Sequence, residues 1–293
     1  MNKINIAINN KTNLTVRLEK EFEVSYYAKP TVFAKLLFQK KSHCDLYFHT
    51  GLINNDTKNL IENSRIVIVN SENVKNEIIN TLPLVSLKKL NVIYPYYHSK
   101  NSYDKNIKKR FRKEFNIDKK SRIIFFRAND LEKRGLNVIL ETLSRLYQDN
   151  FILIIESSIK QITRLKLKMR KLKLKFNYIL FSDYEKIDEL FMVADIFILP
   201  TTQNLFAIDI LKALIYKNAV FVIDKNDASE LLDIFSIIQG KEDKSLSFKI
   251  DSLLINKDEL KKIQNENYHT SLKYTLDKSL KKVVTIVNKS FDF

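Results

Sequence analysis

Arg127, Lys133 and Arg134 follow a strand candidate at residues 122–126, and a helical pattern begins at Gly135. Cations in a loop at a strand's end can make charge-assisted hydrogen bonds to an anion, and arginine adds a planar fork suited to phosphate. Asp130 and Glu132 share the loop, so residue type alone describes a solvated turn equally well. A second candidate is the stretch DIFILPTTQNLFAIDILKALIY at 195–216. It reads as a strand, a proline, a short polar loop and an amphipathic helix, whose first N–H groups are available to an anion. The third is His49 in DLYFHTG. It stands at a strand's end before a glycine, a position for an exposed functional group, and a capped surface histidine fits there as well.

Other chemistries are excluded by what the chain lacks. It has three glycines, Gly51, Gly135 and Gly240, and no G-x-G-x-x-G or Walker loop, so glycine-rich nucleotide cradles are not expected. One cysteine, Cys44, excludes internal disulfides and a cysteine-built metal centre and suits a reducing cytoplasm. Neither zinc-spaced Cys/His residues nor a G-x-S-x-G nucleophile elbow occurs. The net charge of +16 favours an anionic partner such as a phosphorylated substrate, a lipid surface or nucleic acid. No RNA-recognition signature is present, so specific nucleic-acid binding is not expected. No apolar run reaches the ~18 residues of a membrane span, and the N-terminus lacks a signal-peptide pattern.

The elements that must carry these groups alternate. In the first hundred residues, strand candidates at 4–9, 22–27, 45–50, 65–70 and 90–94 are separated by helical patterns at 31–40, 56–62 and 72–80. A polar, turn-rich stretch at 95–103 and a basic run at 105–113 follow, so the domain boundary is expected near residue 100. The expected domains are 1–100, and 101–293 including the C-terminal helices. In the second half the apolar strands IIFF, FILII, IFIL and VFVI suit a parallel sheet buried on both faces. Leu136, Ile139, Leu140, Leu143 and Leu146 make one buried helix face. Residues 182–185, Ser-Asp-Tyr-Glu, form a capping-box pattern. A doubly wound α/β domain binds ligands beyond the carboxyl ends of its strands.

These segments, in order, resemble a known family. IIFFRANDLEKRGL at 123–136, ILIIESS at 152–158, LFSDYEKIDELFMVADIFILPTTQNLFAIDILKALI at 180–215 and AVFVIDKNDASELL at 219–232 resemble the C-terminal half of glycosyltransferase family 4, the retaining, nucleotide-sugar-dependent group with the GT-B fold. IVIVNSENVKNEII at 66–79 and NVIYPYY at 91–97 resemble its last N-domain strand and the entry to the hinge. The likeness covers about residues 45–235. It implies two Rossmann-like, doubly wound parallel-sheet domains facing a cleft, with the N-terminal domain shortened.

The resemblance also implies roles. Arg127 and Lys133 or Arg134 would neutralise the donor diphosphate, and the helix start at Phe206, Ala207 and Ile208 would add backbone N–H groups. Alanine stands at 207 where the family has glycine. Two family glutamates are replaced, by Asn204, which could still hydrogen-bond the donor sugar, and by Lys212, which cannot accept a ribose hydroxyl. His49 matches a histidine near donor sugar and acceptor. The expectation is therefore a metal-independent, retaining, hexosyltransferase-type enzyme. It would move a sugar from a nucleotide-sugar donor to a glycan, a lipid-linked saccharide or a protein, without a further cofactor. The competing reading is a non-catalytic glycosyltransferase-like partner or glycan-binding protein, motivated by the lost glutamates.

Two basic stretches remain, RLKLKMRKLKLKF at 164–176 and KNIKKRFRKEF at 105–115. Each could meet an anionic membrane peripherally, on its cytoplasmic face. The first could instead be a solvated helix with Leu165, Met169 and Leu172 toward the core, and the second could simply start the C-terminal domain.

Overall fold

The computed structural model describes residues 2–27, 43–98, 104–203 and 206–292. The helix expected at 31–40 and the candidate Asn204 lie outside the described residues. The chain divides into two compact units, Met1–His98 with Tyr274–Phe293, and Ser99–Lys273.

Unit 1 is built on a parallel five-stranded sheet with the order β2-β1-β3-β4-β5. Its strands are β1 (Lys3–Ala7), β2 (Glu23–Tyr26), β3 (Cys44–Phe48), β4 (Ser64–Val69) and β5 (Leu90–Val92). The period of two sends alternate side chains to opposite faces. Ile4, Ile6, Leu46, Ile66 and Ile68 pack on α1 (Asn13–Leu18) and on α11, the final helix (Leu276–Phe291). Ala7, Cys44, Tyr47, Val67 and Val69 face the other layer, with Leu60 and Ile61 of α2 (Asn55–Asn63) and Val74 and Ile78 of α3 (Glu72–Thr81). Thr12, Asn54 and Ser71 cap α1, α2 and α3 through their side chains, satisfying helix N–H groups that would otherwise lack partners.

Helix α11 is grouped with the second domain in the sequence expectation, yet it covers the sheet of unit 1. Val283 and Val287 are fully buried against the isoleucines of β1 and β4, with Leu280, Val284 and Ile286 at the margin. Arg65 at the start of β4 bonds the Ser290 carbonyl, and its guanidinium lies 4.0 Å from the Phe291 ring. Without α11, one apolar face of a doubly wound sheet would be only partly covered.

Unit 2 has a parallel six-stranded sheet with the order β11-β10-β9-β6-β7-β8. The strands are β6 (Arg122–Arg127), β7 (Phe151–Ser157), β8 (Asn177–Ser182), β9 (Ile196–Leu199), β10 (Ala219–Ile223) and β11 (Ile237–Ile238). Counted within the unit this is the Rossmann order, with the direction of winding reversing between β6 and β9. Those two strands pair through Ile124 with Ile196 and Phe125 with Phe197. Phe125, Phe191 and Phe197 stack edge-on or tilted beneath that junction. The helices are α4 (Lys105–Glu114), α5 (Leu136–Ser144), α6 (Ile159–Lys171), α7 (Ile187–Val193), α8 (Ile208–Ile215), α9 (Ser245–Ile255) and α10 (Lys257–Ser271). Leu136, Ile139, Leu140 and Leu143 bury the expected face of α5.

Two local expectations are corrected, and one of two open readings of a basic run gains support. The capping box at 182–185 does not form. Ser182 ends β8, Asp183 adopts a left-handed conformation at φ 47°, and its carboxylate accepts from Ile159 N instead. Leu172 lies past the end of α6 and is 39% exposed rather than in the core. Part of the basic run in α4 is structural: Lys108 and Arg112 pair with the buried Asp195 at 2.7 and 3.6 Å.

Candidate functional site

The direction of winding reverses between β6 and β9, and the usual ligand position in such a sheet is beyond the carboxyl ends of the strands at that reversal. Two loops meet there. Gly135, at φ +99°, sits so close to the chain after β9 that an added Cβ would lie 2.5 Å from the Pro200 carbonyl oxygen and 2.7 Å from its Cγ. Only glycine combines that conformation with that approach. The contact joins the loop carrying Lys133 and Arg134 to the loop that leads into α8.

Arg127 is the last residue of β6, and its side chain is 27% exposed. Its Nε stands 2.7 Å from Glu156 Oε2 at the end of β7, an ion pair whose alignment falls short of a hydrogen bond. Nη1 donates to Asp209 Oδ2 at 2.8 Å, in the first turn of α8. Burial lowers the Arg127 pKa, but the charges of Asp209 and Glu156, with the Asp209 hydrogen bond, outweigh it and leave the value raised. Burial pushes the Glu156 carboxyl up, against the pull of Arg127. Lys212 continues the network, 3.6 Å from Asp188 of α7 and 4.0 Å from Asp209.

The sequence candidates thus fall into three groups. Arg127 and the helix start at 206–208 come together through Asp209. Lys133 is largely exposed and 3.6 Å from Asp130, while Arg134 donates its backbone N–H to the Asp130 carbonyl. These two remain cations of the loop between β6 and α5. Lys212 is only 15% exposed, and its ammonium also lies 5.7 Å from the Phe191 ring. It is engaged between α8 and α7.

His49 belongs to unit 1, just past β3, and is 1% exposed. The expected exposed histidine is therefore corrected to a buried one, because β4 and the following turn enclose the strand's end. The Tyr47 hydroxyl lies 3.1 Å from Nδ1. Burial pulls the histidine pKa down; the Gly51 backbone offsets part of this, yet Nε2 has no partner of hydrogen-bond geometry. Burial, and to a lesser extent Cys44, pushes the Tyr47 phenol up to about 12, so it keeps its O–H at neutral pH.

Sequence reasoning missed Glu156, Asp209 and Asp188. The signal for Glu156 was a carboxylate at the end of an otherwise apolar strand. For Asp209 it was an acid in the first turn of a helix whose N-terminus was assigned to an anionic ligand. Among the described residues no cluster of three or more His, Cys, Asp or Glu side chains suited to a metal ion occurs. Nor is any helix of the described residues long and apolar enough to cross a membrane.

Two Rossmann-like parallel-sheet units, of five and six strands, define a protein of the GT-B class. Residues 107–270 match the family described as glycosyl transferases group 1. The chain belongs to that family. No protein of curated function matches the sequence. Among solved structures, a glycosyltransferase from Rickettsia africae ESF-5 is similar with a TM-score of 0.75 and 19% identity, over 97% of this chain and 84% of that one. Anabaena HepE in complex with UDP is similar with a TM-score of 0.74 and 14% identity, over 99% of this chain and 100% of that one. WaaG, a glycosyltransferase involved in lipopolysaccharide biosynthesis, gives 0.69 and 13%, over 97% and 99%.

Proposed function

We propose that the chain transfers a hexosyl group from a nucleoside-diphosphate sugar to a glycan, a lipid-linked saccharide or a protein. Retention of configuration and independence from metal and further cofactors are part of the proposal. The observation that carries it is Arg127 at the carboxyl end of β6, hydrogen-bonded into the first turn of α8. That is the reversal point at which a doubly wound sheet binds nucleotides. Family membership and the similar fold of Anabaena HepE, whose complex with UDP-glucose is known, support the choice of donor.

In this reading the donor diphosphate displaces the Asp209 carboxylate from Arg127 and takes over its hydrogen bond. Lys133 or Arg134 supplies a second cation from the loop, and N–H groups of residues 206–208 complete the anion cradle. These groups stabilise the charge that develops on the departing diphosphate, which is where such an enzyme gains most. Asn204 would meet the donor sugar. In unit 1, the Tyr47 hydroxyl and His49 Nδ1 lie 3.1 Å apart, in a hydrogen bond whose direction the histidine tautomer sets. Lys212 holds Asp209 and Asp188 from behind rather than touching ribose.

A second reading keeps the fold and drops the chemistry: a glycosyltransferase-like partner or glycan-binding protein. What favours it is that Glu156 and Asp209 already neutralise Arg127 internally. A thermal-shift screen over nucleotide sugars separates the two. A ligand at a hundredfold its dissociation constant stabilises by ~2.7 kcal/mol, so a donor raises the melting temperature, and a chain that shifts with none of them is the partner protein.

A further inference from the structure

We propose that the outer face of α6 docks unit 2 onto an anionic lipid surface, a property separate from sugar transfer. Helix α6 buries Ile162, Leu165 and Met169 against the sheet. The 3.6-residue period then turns Lys160, Arg164, Leu167 and Lys171 directly outward. From Ser158 to Ser182 the chain has eight lysines and arginines and no acidic residue. Among the described residues, Lys168 is the one of those cations that pairs with an acid, Glu132 at 2.7 Å.

Charge alone would describe a solvated helix. Leu167 at the centre of that face, with further exposed apolar residues near the helix ends, is what changes the reading. Leu167 is 58% exposed at the centre of the outward face, ringed at i−4, i−3, i+3 and i+4 by Thr163, Arg164, Arg170 and Lys171. Ile159 at the first turn is 63% exposed, and Leu172 and Tyr178 are exposed beyond the last. Neighbouring β8 is the edge strand of the sheet, so this flank of unit 2 has no further strand beside it. Large aliphatic side chains gain nothing against the phosphates of a nucleic acid. At a bilayer they enter the boundary between headgroups and acyl chains while the surrounding cations meet lipid phosphates. The long lysine and arginine stems can also lie along apolar surface with their charges in the headgroup layer. The occupant that matches both halves of the face is a lipid surface.

The test is sedimentation of the full chain with vesicles of phosphatidylcholine mixed with phosphatidylglycerol, against vesicles of phosphatidylcholine alone. Binding to the mixed vesicles only is expected, weakening with salt. Lys160→Ser, Arg164→Ser and Lys171→Ser should each reduce the partition coefficient roughly fivefold. Leu167→Gln, which leaves the charge untouched, should reduce it by about tenfold. All four positions are solvent-facing, so folding is not at stake. Absence of binding to the mixed vesicles overturns the proposal. So does binding that Leu167→Gln leaves unchanged, and so does retention of single-stranded RNA at physiological salt with no vesicle binding. Because no nucleotide is present in the assay, its outcome is independent of whether the donor site functions.

Discussion

Arg127 Nη1 lies 2.8 Å from Asp209 Oδ2, so the acid in the first turn of α8 holds the guanidinium that is proposed to receive a donor phosphate. A carboxylate there satisfies the helix N-terminus and competes with the ligand for the same cation. Asp209→Asn removes the competing charge and keeps the side chain's shape. UDP binding measured by titration calorimetry should tighten on the order of tenfold. Unchanged affinity would mean that phosphate does not take that place.

Glu156 has the opposite effect. It is 5% exposed and contacts Arg127 Nε. Glu156→Gln removes a buried charge that balances the guanidinium, while Asp209 remains. Chemical denaturation should show a loss of about 2 kcal/mol, with the slope of the transition unchanged. A neutral effect would mean that the pair contributes nothing beyond its own desolvation.

Gly135 is a test of geometry rather than charge. Gly135→Ala meets both an unfavourable backbone conformation and the Pro200 carbonyl. Destabilisation of about 2 kcal/mol or more is expected, read as a fall in melting temperature. UDP affinity should fall too, since the loop of Lys133 and Arg134 is held by this contact. A variant as stable as the parent would show that the two loops separate freely.

His49 makes stability depend on pH. Its pKa is lowered in the fold from an ordinary 6.5, so below that value the unfolded chain binds the proton more readily than the native one. Stability from this residue is complete above pH about 6.5 and is lost as pH falls toward the folded value. In His49→Gln the slope of stability against pH between about 7 and 5 should flatten. A slope identical to the parent's would assign the dependence to other groups.

Much of this was legible in the chain, and the losses have physical reasons. Continuous apolar strands such as IIFF and FILII could only be buried on both faces, which gave the parallel sheets and their helices. The position of α11 was not legible. Val283 and Val287 define a buried face but do not say which sheet it meets, and only the packed isoleucines of β1 and β4 decide that. At the candidate site, Arg127 stands out in the sequence as a cation at the end of an apolar strand. Its partners do not, because Glu156 and Asp209 are distant in sequence and meet it only when β7 and α8 are packed. Lys212 was read as facing a ligand, since nothing local reveals that Asp188 stands beside it.

The most direct test of the donor site is calorimetric titration of UDP into the parent chain and into Arg127→Ala/Lys133→Ala, with circular dichroism to verify that the variant is folded. The account predicts saturable binding to the parent that the double variant loses by at least about a hundredfold, each charge-assisted contact being worth ~1.5–3 kcal/mol. No heat with the parent at millimolar UDP or GDP, or equal affinity in a folded variant, would contradict it.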